Sequence, residues 1–232
     1  MEHHSFLYEP VNGLLQPLLG FPVPDHVIMA ALVLVVSCIV FPLMSRRISR
    51  DNPSGFQHVL ELIVSGLKGL MEDIIGHGAG NKYLYIIGGF ACFIFVSNLF
   101  GLIFFLQPPT GNPNTTFALG LTAFLYYNWQ GVRTQGLGHY LKHFLGPIPL
   151  LAPLFLVIEI IGHLARILSL AMRLFGNIFG EHTATGIFMG MLPLVLPWPM
   201  MGLGLFGAFL QTFVFIMLTM VYIGGAVTAE EH

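Results

Sequence analysis

The sequence predicts an all-α polytopic membrane protein of one domain. It has about five transmembrane helices and one amphipathic interfacial helix, and the long fourth membrane helix carries a polar stripe and packs against the last. Three observations carry this fold class. Asp, Glu, Lys and Arg make up only 9% of the 232 residues, and apolar types make up 55%. A soluble domain holds roughly 25% charged residues and needs them as a solvated coat. Apolar runs of spanning length recur along the chain, separated by polar or Pro/Gly-rich breaks. One further segment mixes apolar and polar residues at helical spacing. The net charge of −2 leaves no basic footprint for phosphates. An ordinary cytosolic enzyme, a disordered chain and a nucleic-acid binder are all excluded.

The elements follow in order. Residues 1–26 contain no Lys or Arg, so no signal-peptide n-region is expected there, and His3-His4 is only a pair. Residues 27–44 are an apolar run of spanning length ending in Ser45-Arg46-Arg47. A polar break to Asn52 precedes Pro53, a helix-start signal. Over 53–75, Phe56, Val59, Leu60, Ile63, Leu67 and Leu70 fall on one face, and Gln57, Glu61, Lys68 and Glu72 on the other. Such a helix lies at the membrane interface or packs on a partner, or equally it packs against the rest of its own protein. Residues 83–106 form a second span. The stretch Gln107 to Thr115, rich in Pro, Gly and Asn, forms a turn, and 116–132 form a third span. Arg133 to His143 is a polar loop, and 150–191 is a long fourth membrane segment. Three prolines between Leu192 and Met200 predict a bend before the last span, 202–227, and its acidic tail. Cys38 and Cys92 lie inside apolar runs and read as packing thiols.

Basic residues set the orientation. With the N-terminus outside, Arg46, Arg47, Arg50, Lys68, Lys82, Arg133 and Lys142 all fall on the cytoplasmic side. The C-terminus is then also cytoplasmic. The other two, Arg166 and Arg173, lie inside the fourth segment.

That segment carries the chemistry. Glu159, His163, Arg166, Arg173, Glu181 and His182 are six ionisable groups within 24 residues, beside Asn177. An Arg or Asp at membrane depth costs about 2.5–3.5 kcal/mol on insertion scales. At about 100° per residue, with Arg173 as zero, Arg166 falls near +20°, Glu159 and Asn177 near +40°, and His163 and Glu181 near +80°. Ser169 and Gly180 flank Arg173 on the other side, which lets another helix come close. His182 falls on the opposite face unless the helix bends near Gly176 or Gly180. A structural alternative for Arg166 is pairing with Glu159 or reaching the cytoplasmic surface. Arg173 sits about midway along the segment. An Arg keeps its charge in a partly dry site, so it can act both as an ion barrier and as a counter-ion for a carboxylate. Glu and His on either side can relay protons.

The run Ser169-Leu-Ala-Met-Arg173-Leu-Phe-Gly-Asn177 resembles the signature helix of the a subunit of F-type ATP synthases. The last helix, Gln211 to Tyr222, is similar too, and the family's acid fourteen positions before the Arg is present as Glu159. The resemblance implies a stator subunit in the bacterial inner membrane with no catalytic site or cofactor of its own. It faces a rotating ring of c subunits, works with b subunits of a peripheral stalk and the other synthase subunits, and sits in lipid. Two offset half-channels reach the ring carboxylates, separated by Arg173. The implied ion-translocation residues are Arg173, Glu159, His163, Ser169, Asn177, Glu181, His182 and Gln211. Some bacterial members carry an acid nine residues after the Arg and a His seven before the Gln. Here those positions hold His182 and Gly204, with Glu181 beside the first, so the outer relay is expected from Glu181 and His182 together.

Two other classes fit the composition. A secondary transporter with an Arg-Glu coupling site shares the buried charges, but no internal repeat supports it. A non-conducting scaffold gains nothing from the stripe. Tyr126 and Trp129 read as interfacial anchors, and His58, His77, His139 and His143 as solvated. No spacing predicts a metal site.

Overall fold

A computed structural model describes residues 5, 7–46, 48–49, 53–103, 106–138, 140, 152–191 and 197–227. Among these residues the chain is all helical. The elements are α1 (Tyr8–Leu19), α2 (Asp25–Ser45), α3 (Gly55–Ile75), α4 (Ala79–Gly101), a 3-10 turn (Pro109–Gly111), α5 (Pro113–Gln135), α6 (Ala152–Met191) and α7 (Pro197–Val227). The polar residues 141–143, the prolines before Pro197 and the acidic tail lie outside the described residues, as do Arg47, Arg50, His139 and His3-His4.

Four of these helices, α2, α4, α6 and α7, are long and apolar enough to cross a membrane. The third expected span, α5, has 23 residues, but Thr, Asn, Gln and Arg side chains lower its apolarity. It is held by packing against α6 and α7.

Several boundaries differ from the sequence expectation. The segment before residue 27 holds α1, which closes on Gly20 in the left-handed conformation at φ 78°. This helix is tied back to the start of α2. Asn12 accepts from the Val23 amide at 2.7 Å and donates to its carbonyl at 3.1 Å, and the Ser5 amide donates to Asp25 at 2.9 Å. The second span begins at Ala79, four residues early, because Gly76 and Gly78 at φ 119° and 81° turn the chain tightly out of α3. Lys82 fits inside that helix because its ammonium rests on the Tyr83 ring, 4.9 Å from the centroid. The same helix ends at Gly101, short of 106. Helix α3 starts at Gly55, capped by Ser54 accepting from the Gln57 amide at 3.3 Å. The last span begins at Pro197, earlier than 202, since Pro suits a helix's first position.

One core joins five helices. Met71 and Ile75 of α3, Tyr83, Ile87, Phe90 and Ile94 of α4, Ala123 and Tyr127 of α5, Leu170 and Leu174 of α6, and Phe215, Met220 and Ile223 of α7 are buried together. Phe90 packs on Phe215 at 5.5 Å, and Phe95 on Phe209 at 4.6 Å. Helix α3 packs partly on its own protein. Its C-terminal half enters this core, and Phe56, Val59, Leu62 and Ile63 at its N-terminal half are exposed.

Candidate functional site: the polar stripe of α6

Helix α6 is 40 residues long, about 60 Å at 1.5 Å per residue, and so outreaches a hydrocarbon core of about 30 Å. It runs unbroken through Gly176 and Gly180. Its stripe lies along the edge of the bundle. The +80° flank turns inward, where His163 is buried and Glu181 half-buried. The 0° flank is open, with Ser169, Arg173, Gly176 and Gly180 exposed. A Cβ added at Gly176 or Gly180 would meet nothing within 4 Å.

In the N-terminal half, His163 Nε2 lies 3.4 Å from Glu159 Oε1, one turn away. Its Nδ1 is 2.7 Å from the Tyr127 hydroxyl of α5, and the two rings stack with centroids 5.8 Å apart. Phe124 meets the same imidazole edge-on at 5.6 Å. Arg166 lies over the Tyr222 ring of α7 at 5.4 Å, and among the described residues it forms no ion pair with Glu159. Just past α5, the Tyr140 hydroxyl donates to Asn128 Oδ1 at 2.7 Å. Burial pushes the Tyr140 phenol up to about 12, and nearby Tyr127 and Glu159 add to the effect.

Arg173 occupies the middle. Its guanidinium donates to Ser169 Oγ at 3.4 Å, and among the described residues it has no acidic partner. One turn on, Asn177 Nδ2 donates to Gln211 Oε1 of α7, whose side chain is 1% exposed.

In the C-terminal half, Glu181 and His182 diverge. Glu181 points at α7, where a Cβ on Gly204 would overlap its carboxylate and come within 2.9 Å of Leu102 Cδ2. The missing side chain at position 204 is what accommodates the acid. His182 lies on the other face and reaches α4, its Nε2 3.0 Å from where a Gly101 Cβ would sit. No bend is needed for this contact. His182 also lines an open cavity of about 680 Å³ together with Tyr8, Asp25, His26, Gln107 and Asn112. Beside the cavity, Thr110 donates to Asn98 at 2.8 Å in a buried pair.

The structure thus joins Glu159 with His163, Ser169 with Arg173, and Asn177 with Gln211, and it seats Glu181 at Gly204. Sequence reasoning missed Tyr127, the Asn98–Thr110 pair and the N-terminal wall of the cavity. For Tyr127 a signal existed: Gly120, Ala123 and Tyr127 recur on one face of α5, and all three are buried.

Known proteins resemble this chain over most of its length. The family model described as ATP synthase A chain matches residues 27–224. A relative named ATP synthase subunit a from a Nitratiruptor species is 43% identical over 231 residues, covering 100% of this chain and 94% of its own. The one from a Sulfurihydrogenibium species is 42% identical over 208 residues, 90% and 99% of the two chains. The one from Geobacter sulfurreducens is 38% identical over 232 residues, covering both chains fully. With α3 to α6, the α6 stripe and its α7 contacts within the matched span, the chain belongs to the ATP synthase A chain family, the non-catalytic membrane subunit of the proton-translocating synthase.

Proposed function

We propose that this chain, as one membrane domain, is the ion-translocating stator of the synthase membrane sector, with two offset half-paths meeting at Arg173. The observation that carries the reading is the placement of Arg173. It is a permanent charge about midway along a membrane helix, on an open, small-sided face, and among the described residues its one polar side-chain contact is a Ser hydroxyl. Such a charge needs a counter-charge, and a carboxylate on a helix of another subunit, in a ring of c subunits, supplies it. The b subunits would hold the stator against that rotation.

The first half-path runs by Glu159 and His163. The second enters the cavity at His182 and passes Glu181 and the Asn177–Gln211 pair to Arg173. The topology with the N-terminus outside rests on the placement of the basic residues, and the cavity brings 22–26, 107–112 and 178–182, which that topology puts on one side, together.

Arg173→Ala should abolish ATP-driven proton pumping in vesicles while the complex stays assembled. Arg173→Lys should fail as well, because a desolvated Lys can lose its proton. Robust coupled pumping by Arg173→Ala would overturn the reading.

A further inference from the structure

We propose that Tyr127 is a positioning residue for proton transfer. It holds His163 so that Nε2 faces Glu159, and the His163–Glu159 pair takes up and releases one proton as a unit. The inference rests on the stator reading above and adds a residue on α5 to it.

The geometry is specific. Tyr127 is 1% exposed, and its hydroxyl sits 2.7 Å from Nδ1 while its ring stacks on the imidazole at an interplanar angle of 16°. Phe124 closes the edge of the imidazole. The ring can therefore neither turn nor slide without losing both contacts. A carboxylate oxygen 3.4 Å from Nε2 favours a proton on that nitrogen. The Nδ1 lone pair then accepts from the Tyr127 hydroxyl, which assigns the tautomer of the neutral ring. Adding a proton makes the ring an imidazolium, with Nδ1–H donating to the Tyr127 oxygen and Nε2 forming an ion pair with the Glu159 carboxylate 3.4 Å away. Releasing that proton restores the neutral ring and turns the Tyr127 O–H back to donate to Nδ1, and no other covalent bond changes.

Other groups around the pair, among the described residues, set its background. Arg166 is on the same helix, Tyr222 is on α7 beneath the Arg166 guanidinium and 5.8 Å from Tyr127, and Tyr140 lies beyond α5. Arg166 opposes the imidazolium, and Glu159 favours it.

Tyr127→Phe in the assembled complex tests this, because it keeps the ring stack and removes the hydroxyl. The imidazolium loses a charge-assisted hydrogen bond and the neutral ring a weaker one. The pair should then bind its proton about tenfold less tightly. The limb of the pumping-rate profile that depends on this pair should move about one pH unit lower. His163→Gln, whose amide can still bridge Tyr127 and Glu159, should remove the limb altogether and covers the case in which Tyr127→Phe does not assemble. In a Glu159→Gln background, Tyr127→Phe should add little further loss, since both act through one pair. An unshifted profile in Tyr127→Phe, or a limb that persists in His163→Gln, would mean that Tyr127 only packs, and the proposal fails. Arg173→Ala, run alongside, separates the two readings. If it still pumps, the stator reading fails; if it is dead while Tyr127→Phe is unshifted, only the positioning role fails.

Discussion

At the scale of single residues, the seat of Glu181 is the most consequential detail after Arg173. A proton carrier must titrate, lie near the Arg face and reach water. In the proposed outer path, Glu181 sits in the space at Gly204 on its side of α6, and His182 lines the cavity. Glu181→Gln keeps the shape and removes the titration, so passive proton conductance in vesicles should fall severely, and His182→Ala should lower it less. A near-normal Glu181→Gln beside a dead His182→Ala would reverse that ranking. Gly204→Ala should mimic Glu181→Gln, because the added methyl overlaps the carboxylate and must displace it. The stripe residues were legible in the sequence because ionisable groups are rare at membrane depth and stand out. Tyr127 was legible only as part of the buried face of α5, because an aromatic residue there looks like packing until a partner is found for its hydroxyl.

At the scale of elements, α6 has two chemically different halves. Cysteines placed around Glu159 should react with a polar thiol reagent added from the cytoplasmic side, and those around Glu181 from the outer side. The opposite labelling pattern would invert the topology. The neighbouring α5 depends on close approach. A Cβ at Gly131 would lie 2.6 Å from Tyr140 Cε2 and 3.0 Å from the Ala226 carbonyl. Gly131→Ala should therefore cost about 1–3 kcal/mol through overpacking, read as earlier thermal unfolding of the complex. The membrane helices were readable from apolar runs, but α1 was not, and element ends were read much less well. The start of α4 at Ala79 depended on two left-handed glycines and on a Lys folded over Tyr83, neither of which hydropathy records.

At the scale of the molecule, apolar side chains cover the outside of the bundle. Leu34, Val35 and Ile39 of α2, Ile161 and Leu164 of α6, and Phe206 and Phe209 of α7 are all exposed. A surface of this kind is stable only against lipid or other apolar helices. Purified in mild detergent through a tag, the chain should bring with it a ring of small hairpin proteins and a soluble ATPase head. Cysteine at Gly176 or Gly180 should cross-link to a ring helix, because that face is open and small-sided. Recovery of a lone chain with no such cross-link would count against the stator reading.

The sequence by itself determined that the chain is a helical membrane protein, roughly where its membrane helices run, and which of them holds the charges. Those properties follow from the cost of bare backbone and buried charge in hydrocarbon, and that cost can be read residue by residue. Only the tertiary structure decided which side chain meets which. Asn177 and Gln211 are 34 positions apart, and Tyr127 and His163 are 36. Helical periodicity gives a direction around one axis and says nothing of the rotation and height of its neighbour. The Glu181 seat at Gly204 and the Tyr127–His163 contact therefore come from the packing of α7 and α5 on α6, because a hydrogen bond or a void depends on separations of about an ångström between helices.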